Sequence, residues 1–306
     1  MTRFVRIVLL QALLAAVGPR VAAGEKNAEQ EEAIAAIKQM KGFVEFDTQR
    51  PGKPVTKVHL YAGKTAGIGL APLAKLPETE WIGLHLSDIT EADLEHLKGL
   101  TKLRRLGLAD IRLTDAGLKR LESMTTLEIL YLMENPITDA GLDHLQRLTK
   151  LKELGLGQTR ITDAGLEKLQ VFKDLQILGL QGLNITDAGL EHLKSLTKLQ
   201  KVDLTGCNQV RDLKPLRGLP LTSLTLAYCS RVQTVKPLKG MSLTSLNLFG
   251  CRELRDLAPL AEMPLTSLDL GETQVADLSS LRGMKLTTLN CRKTQVSDLT
   301  PLGGCR

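Results

Sequence analysis

A leucine returns at Leu103, Leu127, Leu151, Leu175 and Leu199 in steps of 24 residues, then at Leu221, Leu243 and Leu265 in steps of 22, and at Leu286 after 21. Extending the frame backwards places earlier units at Thr79 (Ile82, Leu84, Leu94, Leu97, Leu100) and Val55 (Val58, Leu60, Leu70, Leu73, Leu76). The chain therefore divides into about eleven units over residues 55–306, with 24-residue units over 55–198 and 21–22-residue units over 199–306. Phase held over so many copies constrains the fold more than any composition does. A unit this short cannot bury an apolar face alone, and only stacked neighbours make a continuous core.

Each unit has two halves with different periodicity. The first reads L-x-x-L-x-L, as in Leu151, Leu154 and Leu156, and the alternation predicts a short strand with leucines inward. The second half, as in TDAGLEKLQVF at 162–172, sets Leu166, Leu169 and Phe172 three residues apart. That spacing suits a short α or 3₁₀ segment on the opposite side. ITDAGL occurs at 137–142, 161–166 and 185–190, and LTDAGL at 113–118. The side-by-side Thr and Asp could suggest chemistry. Catalysis needs one differentiated site, however, whereas this pair recurs at equivalent places. Thr114/Asp115, Thr138/Asp139, Thr162/Asp163 and Thr186/Asp187 are what helix starts favour, so they are expected to cap the back segments.

With these units in view, the chain resembles leucine-rich-repeat proteins. The pattern LxxLxLxxTxITDAGLxxLxxLTK is similar to repeats of bacterial leucine-rich-repeat proteins and of eukaryotic F-box proteins. Later units such as LTSLTLAYCSRVQTVKPLKGMS are similar to the 22-residue internalin type. The resemblance implies an α/β leucine-rich-repeat solenoid, with a curved parallel sheet on the concave face and short α or 3₁₀ segments on the convex face. It also implies a role in binding other proteins. Nothing before Val55 resembles an F-box. In the later units Pro215, Pro237, Pro259 and Pro301 interrupt α-helix formation, so narrower backs and a change of curvature are expected near Leu199.

Outside the array, residues 1–23 read as a signal peptide. Arg3 and Arg6 precede an apolar run at 7–17, and Val21-Ala22-Ala23 offers a cleavage site before Gly24. The run falls short of the roughly 20 apolar residues a membrane span needs. An exported chain in the periplasm, at the cell surface or outside the cell is the expectation. Residues 24–54 read as a linker and N-terminal cap: Ile34, Ile37 and Met40 share one helical face, Gly42 ends that helix, and FVEF at 43–46 alternates like a strand.

Without residues 1–23 the balance is 37 basic to 34 acidic residues, which gives no nucleic-acid signal. The five cysteines include Cys207, Cys229 and Cys251 at a repeat spacing of 22. They fall with Ser87, Asn135, Thr159, Thr273 and Thr294 at the position after each strand, where the resemblance implies an inward side chain bonding loop backbones. All five are read as buried thiols.

No cofactor and no metal is expected. His59 and His85 fall on adjacent strands without a completing ligand set. AGKTAGIG at 62–69 lacks the glycine a phosphate loop requires, because that position is Val58.

What the repeat leaves free is the concave surface. Its N-terminal half carries His59, Tyr61, Trp81, His85, Arg105, Ile129, Tyr131, Met133 and Ile177, a composition typical of binding hot spots. Gly83, Gly107, Gly155 and Gly179 are expected to form a shallow floor around Tyr131. The C-terminal half is polar (Ser223, Thr225, Ser245, Asn247, Ser267, Asp269), with Phe249 the exception. The reading is a non-catalytic protein-binding scaffold with no catalytic residues. The alternative is a cell-surface or structural protein that binds glycan or envelope components through the polar C-terminal repeats.

Overall fold

A computed structural model describes residues 28–61, 65, 67–85 and 88–303. The signal-peptide reading of residues 1–23 lies outside them, as do Ser87, Cys305 and most of the glycine-rich segment at 62–66. The fold is a leucine-rich-repeat solenoid, as the resemblance implied. One twelve-stranded sheet runs in strict chain order: β1 (Phe43–Phe46), β2 (Val55–Tyr61), β3 (Trp81–His85), β4 (Arg105–Ala109), β5 (Ile129–Tyr131), β6 (Glu153–Gly155), β7 (Ile177–Gly179), β8 (Lys201–Asp203), β9 (Ser223–Thr225), β10 (Ser245–Asn247), β11 (Ser267–Asp269) and β12 (Thr288–Asn290). β2 to β12 are parallel, and β1 adds antiparallel to β2. Central leucines such as Leu106, Leu130, Leu154, Leu178 and Leu224 point into the core and are buried.

The convex backs change character where the period shortens. Earlier units carry segments such as Glu91–Leu97, Asp139–Leu145 and Asp163–Lys168, whereas later ones hold three-residue 3₁₀ turns, Lys214–Leu216, Lys236–Leu238, Ala258–Leu260 and Thr300–Leu302. Proline sits in the first turn of these four, where its missing N–H removes no bond.

The Thr-Asp pairs are architectural, but capping is only part of their work. The Oγ1 atoms of Thr138 and Thr186 accept from the N–H groups of Ala140 and Ala188; Thr114 and Thr162 make no such bond. All four threonines also reach the preceding repeat. Thr162 donates N–H and Oγ1–H to Asp139 at 2.8 and 2.6 Å. Thr138 does the same to Asp115, and Thr186 to Asp163. Thr114 donates both groups to Glu91. The aspartate of each pair thus holds the next repeat. The glycine of TDAGL makes room for it: a Cβ on Gly141, Gly165 or Gly189 would come well under 3.0 Å from Oδ1 of Asp115, Asp139 or Asp163.

The position after each strand closes the opposite edge. Asn135 Oδ1 accepts from the N–H groups of Ile111 and Leu113, and its Nδ2 donates to Leu108 and Leu132 carbonyls. Cys207, Cys229 and Cys251 donate Sγ–H to the carbonyls of Leu180, Leu204 and Leu226. All three are buried and free, and burial pushes their thiols up to about 12. The expectation of five buried thiols needs correcting: Cys291 is free but only half-buried, because its repeat is the last described and no further strand covers it.

At the N-terminus helix α1 (Ala28–Gln39) buries Ala33, Ile34 and Ile37 against the first repeat. Its end differs from the expectation. Lys41, not Gly42, takes the left-handed conformation at φ 59°. Gly42 is needed for space instead, since a Cβ there would meet Leu60 and the His59 carbonyl oxygen at 2.7 Å or less.

Candidate binding surface on the concave face

Strand register defines three outward columns. The first runs Lys57, Trp81, Arg105, Ile129, Glu153, Ile177, Lys201; the second runs His59, Gly83, Gly107, Tyr131, Gly155, Gly179, Asp203. Tyr61, His85 and Ala109 start the third.

The aromatic end of this surface is tightly knit. His59 is only 2% exposed. Phe43 of β1 stacks on its ring at 4.4 Å and 15°, while Trp81 meets it edge-on at 5.0 Å. Its Nε2 lies 3.2 Å from Glu45 Oε1 and its Nδ1 2.8 Å from Tyr61 Oη. A neutral ring satisfies both contacts, with Nε2–H donating to the carboxylate and Nδ1 accepting from the phenol. Burial holds the His59 pKa below its ordinary value, against the pull of Glu45. Lys57 pairs with Glu45 at 2.8 Å and stands 5.4 Å from the Trp81 ring centre. His59 therefore supports the surface and does not present itself to a ligand, which corrects its expected place.

Phe43 is the residue sequence reasoning missed. It is 51% exposed beside Trp81's neighbour His59, and only the antiparallel pairing Phe43↔His59 brings it there. The alternation FVEF was the available signal, but it carries no register.

The expected glycine floor is largely covered, because neighbouring side chains lie across it. Tyr61 Oη would sit 2.7 Å from a Cβ on Gly83, and Met133 Sδ 2.6 Å from one on Gly155. Gln181 covers Gly157 and Gly179, donating Nε2–H to Asp203 at 2.8 Å while its Oε1 is buried without a partner among the described residues. Only Gly107 stays open, with nothing nearer than 3.7 Å to a Cβ. These glycines let large side chains lie flat on the sheet.

Tyr131 lies between Gly107 and Gly155 and donates Oη–H to Glu153 at 2.7 Å. Burial, then the adjacent carboxylate, holds its phenol well above the ordinary range. Trp81, Tyr131, Ile129, Met133 and Ile177 are half-buried, with one side on the sheet and the other to solvent. Arg105 is exposed between Trp81 and Ile129. His85 does not meet His59, which faces Gly83; its Nδ1 lies 3.1 Å from the Ala109 carbonyl oxygen. Among the described residues no three His, Cys, Asp or Glu side chains gather as a metal site.

Sequence-family profiles described as Leucine Rich repeat match residues 123–145 and 147–169, and one described as Leucine Rich repeats (2 copies) matches 173–218. Among solved structures, an internalin from Listeria monocytogenes is 26% identical with a TM-score of 0.65, over 91% of this chain and 79% of that one. An internalin C2 of the same species is 26% identical with a TM-score of 0.45, over 71% and 81%. A leucine-rich-repeat protein of Leptospira interrogans is 16% identical with a TM-score of 0.49, over 93% and 74%. No curated protein matches by sequence. Leucine-rich-repeat profiles thus match part of the chain, within residues 123–218, and the fold is that of a leucine-rich-repeat solenoid, as in the internalin with a TM-score of 0.65.

Proposed function

We propose that this chain is a non-catalytic, exported scaffold that binds a protein partner through the concave face of its N-terminal repeats. The observation carrying the reading is the gathering of Trp81, Arg105, Ile129, Tyr131, Met133 and Ile177 on one open surface, braced from below by His59 and Tyr61. Trp81, packed against His59, and Tyr131, bonded to Glu153, are already held in place and lose little freedom on binding. Phe43 extends the surface onto the cap. The basic start and apolar run of residues 1–23 support export, and among the described residues no helix is long and apolar enough to cross a membrane.

The test is a pull-down from the native organism using the chain without residues 1–23, compared with Trp81→Ala/Tyr131→Ala. Loss of two hot-spot residues corresponds to about 30-fold weaker binding or more. Retained binding by the double variant, with an unchanged circular dichroism spectrum, refutes the assignment.

A further inference from the structure

The C-terminal half of the concave face carries a feature that the protein-binding reading leaves unused. The residue that follows the third outward column has positive φ in nine successive repeats: Asp110, Glu134, Gln158, Gly182, Gly206, Tyr228, Gly250, Glu272 and Lys293. Eight of these are glycine or polar. Tyr228, at φ 60°, is the one aromatic, and a bulky residue in that conformation is strained. The ring is not hidden to compensate, since 43% of Tyr228 is exposed.

The ring has a defined seat. Its inner side rests on Gly250, where a Cβ would lie 2.8 Å from Tyr228 Cδ1. Phe249 rests likewise on Gly271, at 2.7 Å, and the two rings meet edge to face at 5.2 Å. They form a corner in which Tyr228 is exposed and Phe249 half-buried. Beside it runs a polar surface with hydrogen-bonding capacity to spare. Asn247 spends Oδ1 on the Phe249 N–H, and Asp269 spends Oδ1 on the N–H of Gly271 and on Nδ2 of Asn290. Among the described residues, Asn247 Nδ2, Asp269 Oδ2 and the hydroxyls of Ser223, Thr225, Ser245 and Ser267 have no side-chain partner.

We infer that Tyr228 and Phe249, with Asn247 and Asp269 beside them, form a binding site for a neutral oligosaccharide, separate from the N-terminal protein-binding surface. A sugar ring presents an apolar C–H face to an aromatic ring and equatorial hydroxyls to donors and acceptors at its edge. This corner offers both. The adjoining columns of β9 to β11 hold hydroxyls, one amide and one carboxylate, and beyond them Glu272 pairs with Arg252 and Lys293, so the surface fits an uncharged polyol better than an anionic ligand.

Affinity electrophoresis through gels containing soluble β-glucan, xylan or galactomannan tests this, with isothermal titration for any that retard the protein. The informative variant is Tyr228→Gly, which removes the ring and places glycine where two flanking repeats already have it. It is expected to unfold in urea at no lower midpoint than the parent chain and to bind at least tenfold more weakly. Phe249→Ala should weaken binding too, while Trp81→Ala/Tyr131→Ala should bind as the parent does. The inference is overturned if the parent chain is retarded by none of the three polymers. Equal retardation of the Tyr228→Gly variant overturns it as well. So does retardation lost in Trp81→Ala/Tyr131→Ala and kept in Tyr228→Gly. That last outcome would move the sugar to the N-terminal surface; the other two leave protein binding there untouched.

Discussion

Replacing Gly165 by alanine tests the reading of TDAGL as an inter-repeat clasp. Taken alone, alanine in a short helix is an improvement of about 1 kcal/mol over glycine. Here the added Cβ would meet Asp139 Oδ1 at well under 3.0 Å and Ile161 Cγ2 at 2.7 Å. The carboxylate must withdraw, releasing the N–H and Oγ1–H of Thr162 at 2.8 and 2.6 Å. Bonds to this partly exposed group contribute about 1 kcal/mol each, at the lower end for charged acceptors. Relaxing the isoleucine contact adds about 1 kcal/mol. The net expectation for Gly165→Ala is a loss of about 2 kcal/mol. Asp139→Ala loses the same two bonds, again about 2 kcal/mol. Once the carboxylate is gone, however, the new methyl has only Ile161 to displace. The double variant should therefore lose about 2 kcal/mol, not the additive 4, a coupling measurable by a double-mutant cycle. Urea unfolding followed by circular dichroism supplies all three values. Gly99→Ala is the control: nothing lies within 4 Å of its Cβ, so it should be neutral or slightly stabilising. Additive effects, or equal effects at Gly165 and Gly99, would refute the clasp.

Other consequences are open to measurement. Trp81 is the chain's only tryptophan, and His59 meets it edge-on, so its fluorescence reports the imidazole. Burial lowers the His59 pKa, so the fold favours the neutral ring among Phe43, Glu45, Lys57, Tyr61 and Trp81. Stability from this group is full above the unfolded value near 6.5 and is lost as pH falls from there toward the folded pKa, because the unfolded chain takes the proton first. A fluorescence titration with its midpoint below 6.5, absent in His59→Gln, is expected; a midpoint above 6.5 contradicts the burial argument. Native-state alkylation at pH 8 should label Cys291 well before Cys207, Cys229 and Cys251, whose thiols burial raises to about 12. Peptide mapping that found Cys229 modified as fast as Cys291 would show that the core column opens. Tyr131→Phe removes only the bond to Glu153 and should cost about 1 kcal/mol, leaving the ring over the sheet for binding. A loss of several kcal/mol would mean that the phenol holds the strand stack together.

Periodicity alone placed the strands, the inward leucines and the narrowing of the backs, because in a stacked solenoid each unit repeats the local environment of the one before. Leu154 and Leu178 are buried for the reason their spacing states. Which residues project from the concave face was equally legible, since strand alternation has one solution once the core side is known. What a face residue does after it projects was not. His59 and Trp81 look alike in the sequence, yet one is sealed under Phe43 and the other is open, and only an antiparallel strand from outside the array decides that. The glycines read as an empty floor because a column shows vacancies but not the tilt of neighbouring side chains that fill them. The Thr-Asp pair read as a cap within one unit, whereas its carboxylate serves the next. Tyr228 carries no signal in the sequence, since its significance is a backbone angle shared by nine repeats. Local pattern determined the scaffold and its outward columns; contacts between units 21–24 residues apart decided how the surface is paved and where it stays open.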